Sequence, residues 1–111
     1  MVIFRLCFVI LELEPAKWDL VLTDEFTDKL APLVGSKSLQ FLLELGMLFK
    51  DWEDIKSKQS QRGLVQLNCD ILKAWKQNCY THSLIPTLRD IGRAFGNIGK
   101  HIKLIENTLF D

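Results

Sequence analysis

The sequence is short of cysteine, histidine, proline and net charge. Its three cysteines, Cys7, Cys69 and Cys79, are too few, and odd in number, to form a disulfide framework. They are expected as reduced thiols in a packed interior. Two histidines, His82 and His101, leave little material for a histidine-based active site or metal centre. Basic and acidic residues balance at 14 each, which excludes a chain that is strongly basic throughout and binds nucleic acid by bulk charge. No Asn-x-Ser/Thr acceptor occurs, in keeping with an expected cytoplasmic location. The apolar run Met1–Leu11 is broken by Arg5 and is about half the ~20 residues that a membrane-spanning helix requires. It lacks the basic start and small-residue cleavage site of a secretory signal, and Glu12, Glu14 and Pro15 follow it. No membrane insertion is expected.

What is present is apolar material in helical register. Hydrophobic residues make up 48% of the 111-residue chain, enough for one domain with a core that needs neither disulfide nor metal. Two units are expected. Residues 1–22 form an apolar N-terminal segment, whose Val2, Ile3, Val9 and Ile10 suit helix or strand alike. Residues 23–111 form an all-α bundle of six helices. Thr23, followed by Asp24 and Glu25, predicts a capped helix carrying Phe26, Leu30 and Leu33 and closed by Gly35. Ser38 is expected to cap a second helix, with Leu39, Leu42 and Leu43, ended by Gly46. A short third helix spans about Lys50 to Lys58, with Trp52 and Ile55 three apart. A polar loop runs from Ser57 to Gly63. Leu64, Leu67, Ile71, Leu72 and Trp75 then share one face of a long amphipathic helix, with a break at Asn78–Thr81. Pro86 is tolerated only in a first turn, so Ser83 is the expected cap of a fifth helix bearing Leu84, Leu88 and Ile91, with Gly92 and Gly96 at its end. Ile98, Ile102, Ile105 and Leu109 predict a sixth helix.

Chemistry-bearing motifs are sparse. No nucleophile elbow, phosphate loop or dinucleotide-binding glycine pattern is present. Cys79-x-x-His82 supplies two potential zinc ligands where a structural site needs four, and no cofactor is expected. The close carboxylates in Asp51-Trp52-Glu53-Asp54 lack any sign of the contrasting environments that acid–base catalysis demands. The chain is therefore not expected to be an enzyme. A helix-turn-helix nucleic-acid-binding domain is the alternative, since two short helices join at Gly46. Its recognition segment would carry Asp51, Glu53 and Asp54, which phosphate repels.

The order of residues from about Thr23 to Leu109 resembles the death domain, the six-helix module of apoptotic and innate-immune adaptors. The resemblance rests on Ile71-Leu72-Lys73-Ala74-Trp75-Lys76, then Leu84-Ile85-Pro86-Thr87-Leu88-Arg89-Asp90-Ile91-Gly92-Arg93, and upstream on Leu45-Gly46 with Trp52 and Ile55. The chain departs from the family at Gly35–Leu39, where a tryptophan often opens the second helix. The resemblance implies a non-catalytic signalling adaptor or receptor-proximal module. Its partners would be other death-domain proteins (receptors, adaptors or kinases), with homo-oligomers possible and nucleic acid not expected. The implied contact residues are Lys50, Asp51, Glu53, Asp54, Arg62, Arg89 and Asp90. Complementary charge of this kind sets partner choice and encounter rate more than affinity.

Overall fold

The computed structural model describes residues 15–59 and 63–110. One helical turn, α1 (Pro15–Trp18), precedes six helices: α2 (Asp24–Val34), α3 (Ser38–Glu44), α4 (Phe49–Gln59), α5 (Leu64–Thr81), α6 (Leu88–Asn97) and α7 (Ile102–Phe110). Among the described residues no strand forms beyond a single antiparallel bridge between Val21 and Thr87. The expected all-α six-helix bundle is what the chain adopts. The run Met1–Leu11 and Cys7 lie outside the described residues.

α2 starts where Thr23 takes an extended backbone and its hydroxyl accepts the Phe26 N–H at 3.1 Å. That satisfies one of the free donors at the helix start. Pro32 sits inside the last turn of α2, where it denies the Asp28 carbonyl its usual donor. The end of α2 is held from a distance. Asn68, fully buried on α5, donates through Nδ2 to the carbonyls of Ala31 and Gly35, both at 3.1 Å. The Ser38 hydroxyl donates in turn to Asn68 Oδ1. Ser38 is thus the buried first residue of α3 and not its cap. The capping position belongs to Lys37, whose side chain makes no cap bond and instead donates to the Ile98 carbonyl at the end of α6, at 2.8 Å.

α5 is the central element and packs on α2, α3 and α4; α6 packs on α1, α3 and α7, and α7 returns to α2. Phe41, Leu42, Ile71, Leu72, Leu88, Ile91, Phe95 and Ile105 are completely buried, each such aliphatic or aromatic side chain stabilising the fold by about 1.5–3 kcal/mol. Trp75, as expected, is buried in the same cluster, with 4% exposure.

Packing of the bundle reaches upstream of Thr23. Trp18 and Leu22 are core residues, and the Trp18 ring meets Phe110 edge-on with centroids 5.9 Å apart. A Cβ on Gly92 would lie 2.8 Å from the Trp18 ring, so α6 needs a glycine there to admit the indole. Gly92 is therefore a buried residue within α6 and not part of a loose end.

Four other local expectations are corrected. α5 does not break at Asn78 but continues through Thr81. Ser83 does not cap a helix; it stops one. Its φ is +59°, and the Leu84 N–H returns to the Cys79 carbonyl at 2.7 Å. The chain then runs extended through buried Pro86, whose carbonyl accepts the Leu22 N–H at 2.9 Å. α6 begins only at Leu88, with Thr87 in the capping position but making no side-chain cap bond. Leu84, expected inside, is 60% exposed. Ile98 ends α6 and does not open α7, although it is buried.

Candidate functional site

The charged residues singled out in the sequence occupy two separate places. α4 is seated by half-buried Trp52 and Ile55, which turns Lys50, Glu53 and Asp54 outward. Lys56 lies over the Trp52 ring, its Nζ 5.5 Å from the centroid, a contact that screens the indole face from water. Asp51 has a structural duty: its Oδ2 accepts the Leu48 N–H at 2.8 Å and so closes the start of α4. Arg62 lies outside the described residues.

Asp51 and Asp54 line a groove of about 310 Å3 between α4 and α5. Its apolar lining comes from Met47, Ile55 and Ala74, and its opposite wall from Gln77, Asn78 and Thr81. Lys58 also reaches this groove. Two of these three wall residues, Asn78 and Thr81, fall in the break that the sequence suggests at Asn78–Thr81.

Arg89 and Asp90 stand elsewhere, on α6. Arg89 is held by Asp19, with Nη2 and Nε at 3.0 and 3.1 Å from the same carboxylate oxygen. Asp90 accepts from the Thr87 hydroxyl at 3.1 Å and from Arg93 at 3.4 Å, which fastens the first turn of α6. Together with Arg93 it borders a second cleft, of about 300 Å3, whose apolar side is Leu45, Trp75, Cys79 and Leu84. The two clefts share no lining residue. Asp19 escaped the sequence reading because it is 70 positions from its partner.

Cys79 lies buried in the second cleft. Burial, and then the negative charge of Asp90, raise its pKa. Cys69 is raised likewise by burial and then by Asp28. Both thiols are thereby held protonated and poorly nucleophilic. His82, three positions from Cys79, is exposed, and its Nδ1 lies 2.9 Å from the Asn78 carbonyl. Among the described residues no three His, Cys, Asp or Glu side chains gather as a metal site would require, and no described helix is long and apolar enough to cross a membrane. Both of these clefts are shallow, with apolar residues in their lining and charge at the rim. Comparison of the chain with models of protein families, with curated proteins and with solved structures returned no match.

Proposed function

We propose that this chain is a non-catalytic signalling module that brings death-domain proteins together in the cytoplasm, in apoptotic or innate-immune signalling. One observation carries the reading. Of the apolar residues on which the death-domain resemblance rests, all but Leu84 and Ile85 are buried or half-buried, and the α4 charges lie on the surface. Ile71, Leu72, Trp75, Leu88 and Ile91 are buried, Gly92 packs beneath an indole, and the charged residues Lys50, Glu53 and Asp54 of α4 face solvent. A six-helix bundle that presents charge on a short helix seated by its apolar residues is suited to docking by complementarity.

The test immobilises the full chain and measures association with a panel of purified death-domain proteins. Glu53→Lys with Asp54→Lys is the informative double variant. Both residues are exposed, whereas Asp51 is needed to close α4. Stability should change by less than about 0.5 kcal/mol per site, association with the partner should slow at least tenfold, and the wild-type rate should fall with added salt. Unchanged kinetics would remove α4 from the contact. Tighter binding of the wild type to duplex DNA than to any protein, strengthened further by the two lysines, would replace this function with the nucleic-acid-binding alternative.

A further inference from the structure

We infer that the groove between α4 and α5 receives α7 of a second copy of this chain, with Leu104 over Met47, Ile55 and Ala74 and the lysines Lys100 and Lys103 against Asp51 and Asp54. The inference rests on the homotypic reading above and adds to it the partner and the two faces.

The argument is one of complementarity between two surfaces that the same chain carries. The groove presents two carboxylates on the α4 wall above an apolar lining, and Gln77, Asn78 and Thr81 opposite. It therefore suits a segment with an aliphatic anchor and flanking positive charge. α7 is such a segment. Ile105 and Leu109 are buried and Ile102 is half-buried, so the inner face of α7 is fully used. Leu104 falls on the opposite side of the helix, where it is 46% exposed, and folding gains little from its aliphatic character. Its neighbours are basic: Lys100 and His101 precede it and Lys103 adjoins it. The one carboxylate on α7, Glu106, has an 18% exposed side chain and pairs with Lys103 at 3.3 Å. Lys103 is the exposed member of that pair, at 70%, and its flexible ammonium can turn from Glu106 to the groove. Lys58 is the single cation of the groove lining against the two carboxylates, which leaves the groove negative.

α7 packs chiefly on α2 and α6, away from the α4 and α5 walls of the groove, so docking of one copy's α7 in another's groove is a head-to-tail contact. Each docked copy leaves one groove and one α7 free, and assembly grows instead of closing at two.

Sedimentation of the full chain over the micromolar to millimolar range tests this. The wild type should form a concentration-dependent ladder that shrinks with added salt. Asp54→Lys spoils the groove and Leu104→Asn spoils α7, and each variant alone should self-associate at least tenfold more weakly. Mixed, they should form a one-to-one complex that grows no further, because one contributes an intact α7 and the other an intact groove. Lys103→Gln should weaken assembly without touching the aliphatic anchor, and unchanged circular dichroism should accompany every variant. Wild-type self-association in both single variants, or a mixture that stays monomeric, overturns the inference. A wild type that remains monomeric yet captures a death-domain protein in a manner sensitive to Asp54→Lys assigns the groove to a foreign partner, which overturns self-docking and leaves the proposed function standing. A wild type that remains monomeric and captures none removes both.

Discussion

α3 and α5 end in the same hydrogen-bonded turn, built around different residues. At α3 the Met47 N–H bonds to the Leu42 carbonyl at 3.3 Å and the Gly46 N–H to that of Leu43 at 3.0 Å, with Gly46 at φ +87°. At α5 the Leu84 N–H bonds to Cys79 at 2.7 Å and the Ser83 N–H to Tyr80 at 3.1 Å, with Ser83 at φ +59°. Both are Schellman turns. Glycine enters the left-handed region without penalty, whereas a serine pays about 1–2 kcal/mol for its Cβ. The residue that follows also differs. Met47 folds inward and is buried, while Leu84 remains 60% exposed, followed by Ile85 at 65%. The first turn closes the core. The second redirects the chain toward its pairing with Leu20 and Leu22 and leaves two aliphatic side chains at the surface.

The largest way to probe this contrast is to remove the aromatic residue that anchors each helix before its turn. Phe41 on α3 is fully buried, its ring 4.6 Å from that of Phe95, and Trp75 anchors α5. Phe41→Ala and Trp75→Ala should each lower stability by about 3–5 kcal/mol in urea unfolding followed by circular dichroism. A loss below about 1 kcal/mol for Trp75→Ala would mean that α5 is not fixed through its indole.

A smaller effect comes from exchanging the turn residues. Gly46→Ser should destabilise by about 1–2 kcal/mol and Ser83→Gly should stabilise by about 1 kcal/mol. Because the two sites share no hydrogen bond, the double variant should fall close to the sum of the singles. A destabilising Ser83→Gly would show that the serine side chain, and not the turn, holds that position.

The smallest effect separates the two ends by pH. The residue whose carbonyl closes the α5 turn is Cys79, which ionises; its counterpart at α3 is Leu42, which does not. The Cys79 pKa is raised by burial and by Asp90, so the folded protein binds the thiol proton more tightly than the unfolded chain. Stability from the neutral thiol is whole below the unfolded thiol pKa of about 8.5 and is lost as pH rises through the higher folded value. Thermal unfolding should therefore decline on the alkaline side. Cys79→Ala should flatten part of that decline, and Cys69, whose pKa is raised likewise, should contribute a further part. An identical alkaline slope in Cys79→Ala would show that this thiol does not titrate with folding.

The same contrast explains what could be read from the sequence. α2 was legible because Thr23, Asp24, Glu25 and Gly35 each have one conventional place at a helix end. The end of α3 was legible through Gly46. The end of α5 was not, because serine is a common helix starter and a rare left-handed stop, and Pro86 suits a first helical turn as well as an extended segment. Reading Ser83 as a beginning shortened α5, lengthened α6 and put Leu84 inside. The charged face of α4 could be read from composition and spacing. The groove beside it could not, since four of its nine lining residues are neutral residues of α5 and another, Met47, precedes α4. The split of Arg89 and Asp90 from the α4 charges follows from tertiary packing, on which helical periodicity is silent.

Asn68 has a consequence for how the chain can be divided. It lies 37 and 33 positions from the two carbonyls it satisfies and 30 from Ser38. A fragment ending at Gln59 would contain α2, α3 and α4 with every local signal for the α2–α3 corner, but without the amide that holds it. The Ala31 carbonyl, buried in the whole protein, would have to return to water and draw the corner open, leaving the Ser38 hydroxyl only its local bond to the Gly35 carbonyl at 3.3 Å. The N-terminal half should consequently behave as an unfinished piece that becomes ordered when the α5–α7 fragment is supplied in trans, so that cutting the chain between α4 and α5 yields complementary halves and not two domains.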